Sequence, residues 1–189
     1  QSQSATQVVV IAGGAVAHGM GDARIFSTSY GETVKSNAFT YLASVIQVTN
    51  PVFGYVAVGR TATNVFTVTN SGNATLTVDA WTNDGPGAAY FDLAGAPASV
   101  APGAAVNFPV VFHPGAMGTF NPACYTVNNS QDPNYFFGLF GKAYQISAYA
   151  GPLGGGKTVT VTNGDFGAIT NVTLGGAPAV IQDSGVNWV

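Results

Sequence analysis

The chain has 189 residues and a formal net charge of −3; only 7% of its residues are charged, whereas 47% are hydrophobic. Its five basic residues are scattered, so no basic stripe is available for nucleic acid, and no apolar run approaches the roughly 18 residues of a membrane span. The length allows one or two domains. The single cysteine, Cys124, is predicted to be a small buried side chain, with an intermolecular bridge as the alternative. The chain begins at Gln rather than Met, which predicts a processed or excised segment.

The first 43 residues contain strand-like runs and no sustained helical periodicity. The third run ends in the aromatic pair Phe39 and Tyr41. These runs do not suffice for a domain, so we expect part of a β-structure that lacks its partner strands. The predicted strands of this head are residues 7–11, 22–29 and 33–42.

The central segment, residues 44–144, has alternating strands separated by Asn, Gly and Pro turns. Strands with two-sided alternation at roughly 8–12 residue spacing are typical of a β-sandwich. The segment therefore predicts one complete domain. Its predicted strands are residues 44–49, 55–58, 64–70, 74–81, 90–93, 105–112, 119–128 and 135–141.

Four motifs in this segment point to a known family. They are TVTNSGNATLTV at residues 67–78, the turn at residues 101–103, the spaced Phe112, Pro114 and Gly118, and the closing Leu139 and Gly141. With these features the segment resembles the immunoglobulin-like domain of the abnormal-spindle/hydin type, which also occurs as choice-of-anchor D repeats in secreted proteins. His113 departs from the pattern, since the family often has a small polar or acidic residue there. The resemblance implies a complete immunoglobulin-like sandwich.

The tail, residues 145–189, contains a Gly-rich stretch at residues 151–156. A predicted strand at residues 158–162 and the run ITNVTLGG at residues 169–176 follow it. These features resemble the front of an IPT/TIG immunoglobulin-like domain, and the later parts of that family's pattern occur at residues 5–41. The resemblance implies a second sandwich split between the termini, with its front half in residues 145–189 and its back half in residues 1–43. The predicted fold is all-β, with two immunoglobulin-like sandwiches, one complete and one split.

Two half-domains expose sheet edges, and the unpaired backbone groups of such edges can pair with a strand of another chain. Head-to-tail pairing that does not close on itself generates a filament. The end of the tail, IQDSGVNWV, resembles the start of the head, QSQSATQVVV, and this overlap favours separate subunits. We therefore expect an extracellular structural subunit that polymerises by completing the split domain between copies. The alternative is one period of a long tandem-repeat cell-surface adhesin or carbohydrate-binding stalk.

The expected partners are copies of the same chain, and the predicted contacts are the apolar residues of its two ends. On the head they are Val8, Val9, Val10, Ile11, Phe26, Phe39 and Tyr41. On the tail they are Val159, Val161, Phe166, Val172, Leu174, Val180, Ile181 and Trp188.

No constellation of residues predicts catalysis, a cofactor or a metal, so no enzyme is expected. Residues 151–158 match the phosphate-loop pattern G-x-x-x-x-G-K-[ST], but a strand follows where that loop requires a helix. His18 and His113 have no ligand-type neighbours in the sequence. A calcium loop at Asn83 and Asp84, or at residues 163–165, is an alternative that lacks the repeated acidic ligands of known motifs.

Three Asn-X-Ser/Thr triplets, at Asn73, Asn128 and Asn171, predict covalent glycans on an extracellular or cell-surface protein. Chance occurrence is the alternative, because the chain is rich in Asn and Thr.

Overall fold

The computed structural model describes residues 2–3, 7–15, 17–162 and 169–182, and this part of the chain is all-β, as predicted. Its only helix is a single 3₁₀ turn, Ala88–Tyr90. In the head, the strands are β1 (Ser2–Gln3), β2 (Val8–Val9), β3 (Gly19–Ser27) and β4 (Gly31–Tyr41). The centre has β5 (Ile46–Val48), β6 (Val52–Ala57), β7 (Ala62–Asn70), β8 (Leu76–Asp84), β9 (Phe91–Leu93), β10 (Ala98–Val100), β11 (Ala105–Phe112), β12 (Gly118–Phe120), β13 (Ala123–Asn128), β14 (Phe136–Gly138) and β15 (Phe140–Ile146). The tail has β16 (Val161–Thr162), β17 (Val172–Leu174) and β18 (Ala177–Ala179).

The central strands form an immunoglobulin-like sandwich. One sheet has the order β5-β7-β11-β9 and a second has the order β10-β8-β13-β14, while a third has the order β12-β15-β16 with β6 also paired to β15. The chain changes partners at the buried Pro51, because β5 pairs antiparallel with β7 whereas β6 pairs parallel with the last central strand, β15. Long-range pairing of this kind ties the beginning of the sandwich to its end.

Strict alternation along the central strands produces the core. In β7, Phe66 and Val68 are fully buried, while the preceding residue Val65 faces outward. In β8 of the opposite sheet, Leu76 and Val78 are likewise fully buried. Burial of each such side chain contributes about 1.5–3 kcal/mol, so this alternating set is the main source of stability. The other core side chains are Ile46, Phe53, Val56, Phe91, Val100, Phe108, Val110, Phe112, Cys124, Phe137, Leu139 and Ala143.

Aromatic rings fill the space between the sheets. The Phe66 ring stacks on the Phe108 ring with a centroid distance of 5.4 Å. The Trp81 ring contacts the Phe66 ring edge-on, with a centroid distance of 4.9 Å. Gly141 lies directly under Phe112, where a Cβ atom would come within 2.7 Å of the ring. The closing Leu-x-Gly motif therefore has a packing reason, because a side chain at position 141 would displace Phe112.

The buried side chain of Asn70 closes the end of the sandwich at the β7–β8 turn. Its Nδ2 donates to the carbonyls of Ala74 and Val100 at 2.8 and 3.0 Å. Its Oδ1 accepts from the N–H groups of Val45 and Gly72 at 3.2 and 3.0 Å. One amide therefore joins the turn, the segment before β5 and the end of β10.

Several short strands differ from the predicted boundaries. The single strand expected over residues 119–128 is two strands, β12 and β13, because Asn121-Pro122 interrupts it. The run at residues 135–141 is divided between β14 and β15. The strand β10 was not predicted, since only three residues separate Pro97 from the turn at residues 101–103.

Cys124 is fully buried, which confirms the prediction from sequence. Desolvation by this burial raises the pKa of the Cys124 thiol from 9.0 to about 12. Its thiolate is therefore strongly disfavoured in the folded chain.

Replacing Asn70 with Ala is expected to lower the free energy of unfolding by about 3 kcal/mol, because two buried carbonyls and two N–H groups lose their partner. Urea titration measures the change. Asn107→Ala, which removes an exposed amide bonded to Thr67 Oγ1, is the matched control and should cost about 0.5 kcal/mol. Equal losses in the two variants would contradict the role assigned to Asn70.

Stability should also fall at alkaline pH because of Cys124. Below pH 9 the thiol is protonated in both states; between pH 9 and 12 it ionises only in the unfolded chain, which favours unfolding. At pH 10 the wild type should therefore lose about 1 kcal/mol more, relative to pH 7, than Cys124→Ala. Urea titrations of both proteins at the two pH values test this, and parallel losses would refute it.

Candidate assembly surfaces

The long head hairpin, formed by β3 and β4, projects from the sandwich with both faces in solvent. Apart from Gly19 and Tyr41, every residue of the two strands is exposed. Phe26, for example, is 75% exposed. In the described part of the chain, β3 and β4 pair only with each other, so each has one unpaired edge. The hairpin thus presents two free edges and two open faces.

The hairpin is held together by its own polar contacts. The Arg24 guanidinium donates to Glu32 at 2.9 Å across the two strands. A register shift follows Gly21, and there the Asn37 N–H donates to Asp22 Oδ1 at 3.1 Å, with Asn37 at a φ of 53°. Exposed ion pairs contribute little, so these contacts set the register more than the stability.

The base of the hairpin carries the predicted aromatic pair. The Phe39 and Tyr41 rings meet edge-on at 4.9 Å. The Tyr41 hydroxyl donates to the carbonyl of Gly13 at 3.0 Å, which brings the loop after β2 against the hairpin. Residues Val8 to Ile11 nevertheless remain exposed, and Ile11 is 89% exposed. The N-terminal apolar run is therefore near the hairpin but not buried by it.

Asn73 anchors the head to the sandwich. Its Oδ1 accepts from the Ala43 N–H at 2.9 Å, and its Nδ2 donates to the Tyr41 carbonyl at 2.9 Å. The Asn73 N–H itself donates to the Ala43 carbonyl. At Gly72 a Cβ atom would overlap the same carbonyl, so only glycine permits this approach. The head therefore attaches at the β7–β8 turn.

The tail leaves the sandwich beside the start of β7. The Tyr149 hydroxyl donates to the Val58 carbonyl at 3.0 Å, and the Arg60 guanidinium lies over the Tyr149 ring at 4.9 Å. Since β7 runs from Ala62 to Asn70, the tail and head anchors lie at opposite ends of this strand. Nine residues of strand separate them by roughly 27 Å.

Beyond Tyr149 the tail forms two small pieces of sheet. The strand β16 extends the edge of β15, pairing Val161 with Ile146. The hairpin of β17 and β18 pairs Val172 with Ala179 and Leu174 with Ala177. Because opposed residues share a face, these four side chains form one apolar face. Its members are half-buried or exposed.

The predicted contact residues divide into three groups. Val8, Val9, Val10, Ile11, Phe26, Phe39, Leu174 and Val180 are exposed apolar side chains, whereas Tyr41, Val159, Val161, Val172 and Ile181 are half-buried. Phe166 and Trp188 lie outside the described residues. The exposed group is available for intermolecular contacts, and whether it makes them stays a prediction.

The three predicted glycan acceptors differ in access. Asn128 is 5% exposed; its Nδ2 donates to the Asp132 carbonyl and its Oδ1 accepts from the Ser130 N–H. The prediction of a glycan at Asn128 conflicts with this burial, because a triplet in sequence carries no information about depth. Asn73 is half-buried with both amide atoms engaged. Asn171 is exposed.

The motifs considered for chemistry have simple surroundings. Residues 151–158 include a turn at Leu153-Gly154, where the Gly155 N–H donates to the Pro152 carbonyl, and the described residues that follow contain no helix. His113 Nε2 lies 3.1 Å from Asp92 Oδ2, a pair that sequence spacing did not reveal. Within the described ranges, no group of three or more His, Cys, Asp or Glu could hold a metal ion. No helix there is long and apolar enough to cross a membrane.

No protein-family model and no curated protein matches the chain. Among solved structures, the ASH/PapD-like domain 7 of human CEP192 is similar, with 11% identity, a TM-score of 0.45, and coverage of 53% of this chain and 86% of that one. SSP-19, an MSP-domain protein from Caenorhabditis elegans, has 9% identity, a TM-score of 0.35, and coverage of 48% and 94%. The SrpA adhesin from Streptococcus sanguinis has 13% identity, a TM-score of 0.37, and coverage of 52% and 57%.

The all-β fold predicted from the sequence is confirmed by the strands and their pairing in the structure. Neither the TIG nor the abnormal-spindle/hydin family is matched by a family model.

Replacing Asn73 with Ala should loosen the head without unfolding the sandwich. The Ala43 N–H loses its acceptor, so its hydrogen exchange should accelerate roughly fivefold, as expected for about 1 kcal/mol. Exchange measured by NMR at Ala43 and at a core amide such as Phe66 separates local from global opening. Thr75→Ala also removes the glycan triplet but keeps the Asn73 side chain, and it should leave Ala43 unchanged.

Proposed function

We propose that the protein is an extracellular structural subunit that polymerises head-to-tail, each copy completing a split TIG-like sandwich with the next. The observation that carries this proposal is the head hairpin, whose faces and edges are open along almost its whole length. The role is non-catalytic and needs no cofactor or metal.

An isolated hairpin of this kind needs a partner. Two strands alone are marginally stable in water, and a third strand or a packed face is required for independent stability. The hairpin exposes Ile25, Phe26 and Val34, and its Arg24 pairs with Asp22 and Glu32. Burial of these side chains by added strands would supply the missing stability.

The tail has the complementary form. The hairpin of β17 and β18 is apolar on one face, with Val172 and Leu174, and presents Thr173 and Pro178 on the other. A two-stranded sheet with one apolar face requires an apolar surface to cover it. Packing this face on the head hairpin would give the two-layer arrangement of a sandwich.

The positions of the anchors favour a neighbouring copy over the chain's own head. Asn73 holds the head at one end of β7, and Tyr149 leaves the sandwich at the other end, roughly 27 Å away. A subunit with different surfaces at its two ends joins in rows, because each contact leaves one head and one tail free.

The proposal predicts complementation between two assembly-defective variants. Phe26→Lys should block the head while pairing its new charge with Glu32 across the hairpin, and removal of residues 181–189 should block the tail. Each variant alone should be monomeric. Their mixture should form a dimer of twice the 19.2 kDa chain mass, because the Phe26→Lys variant keeps an intact tail and the truncated variant keeps an intact head.

Analytical ultracentrifugation measures these masses, and electron microscopy checks that the wild type forms filaments. Val65→Lys, an exposed apolar position on the outer face of β7, is the matched control and should assemble like the wild type. A stable wild-type monomer would refute polymerisation. Filaments that fail to dissociate to single chains on a denaturing gel would instead favour the tandem-repeat adhesin.

Glycans would suit a low-charge surface of this kind, and we propose Asn171 as the acceptor best exposed for one. Extracellular or cell-surface localisation belongs to the same proposal.

A further inference from the structure

The strand β14 is an edge of the sandwich that carries no protection against pairing. Natural sheets block their edges with charges, Pro residues or bulges. The edge strand β9 contains Asp92, and the edge strand β10 directly follows Pro97. By contrast, β14 consists of Phe136-Phe137-Gly138, and Phe136 is 68% exposed.

The backbone of β14 is oriented for a further strand. Its neighbour β13 is bonded through alternate residues, since the Thr126 N–H donates to the Tyr135 carbonyl and the Leu139 N–H donates to the Pro122 carbonyl. In an antiparallel pair, the residues between such positions direct their N–H and C=O groups to the other side. Phe136 and Gly138 therefore point theirs away from the sheet, where the described chain places no strand.

We propose that β14 is a lateral contact that pairs antiparallel with β14 of a second copy, centred on Phe137. This register uses the outward groups of Phe136 and Gly138 in both chains, as two symmetric pairs of hydrogen bonds. It also places each exposed Phe136 ring opposite Gly138 of the other copy. Aromatic rings cover cross-strand glycines well, because glycine leaves the space empty.

The occupant is a second copy because the strand is self-complementary. A two-fold axis through Phe137 matches Phe136 with Gly138 on both sides and brings no charged residue of β14 into the contact. Tyr125 flanks Phe136 on the same face, with ring centroids 6.3 Å apart, and extends the apolar surface beside the edge.

A three-residue strand makes a weak contact by itself. The inference rests on the proposed function for its biological effect, because copies held in a row would repeat the contact and gain avidity. Filaments would then associate side by side through β14, independently of the head and tail contacts.

Disulfide trapping tests the register. Opposed residues at a hydrogen-bonded antiparallel site have Cα atoms about 5.5 Å apart, which suits a disulfide. The double variant Phe136→Cys/Gly138→Cys should therefore shift to twice the chain mass on a non-reducing gel after mild oxidation. Either single variant should stay at the monomer mass, since each new cysteine then faces the native residue. Cys124 is buried and does not compete.

A second variant tests the effect on filaments. Phe136→Lys should leave filament length unchanged but abolish side-by-side association in electron micrographs, whereas Val65→Lys on the other sheet should keep it. Absence of the double-variant disulfide at high protein concentration would overturn the lateral contact, as would efficient linkage in a single variant. If the wild type forms no filaments, the head-to-tail proposal fails, and the disulfide result still decides whether β14 pairs.

Discussion

The buried amide of Asn70 is the interaction on which both the sandwich and its attachments depend. It satisfies backbone groups of Val45, Ala74 and Val100, which belong to three different segments. A buried carbonyl or N–H without a partner costs more than a typical hydrogen bond returns, so the turn is held in one conformation. Asn73 lies three residues further on in the same turn, and its side chain bonds the Ala43 N–H and the Tyr41 carbonyl. The direction in which the head leaves the sandwich is thus set by a buried polar network.

The rest of the molecule shows a clear division of burial. The sandwich encloses a continuous aromatic and aliphatic core, whereas the long hairpin of β3 and β4 has almost no buried residue. The sandwich therefore separates the head, at one end of β7, from the tail at the other end.

Sequence reasoning worked where local chemistry decides the structure. The Asn70 turn and the alternation of Phe66 and Val68 predicted β7 and β8 within a few residues. It failed for β10 and for the break between β12 and β13, because three-residue strands are defined by their partners and not by their own pattern. Exposure of the head strands was predictable, because the first 43 residues contain too few strand-like runs to form a domain. The burial of Asn128 and the His113–Asp92 pair depend on tertiary contacts that spacing does not encode.

The two contact types differ in the strength they can reach. Closing the proposed split sandwich would cover whole faces of β3, β4, β17 and β18, so its free energy would scale with apolar area and could exceed the cost of association. The proposed pairing of β14 would add a few backbone bonds and two aromatic rings, which gives only a weak contact between free subunits. Rows of the proposed kind would strengthen lateral pairing, because repetition along a row multiplies a weak edge contact. Under the proposed assembly, the same chain would build single filaments at low concentration and bundles at high concentration without any change in its fold.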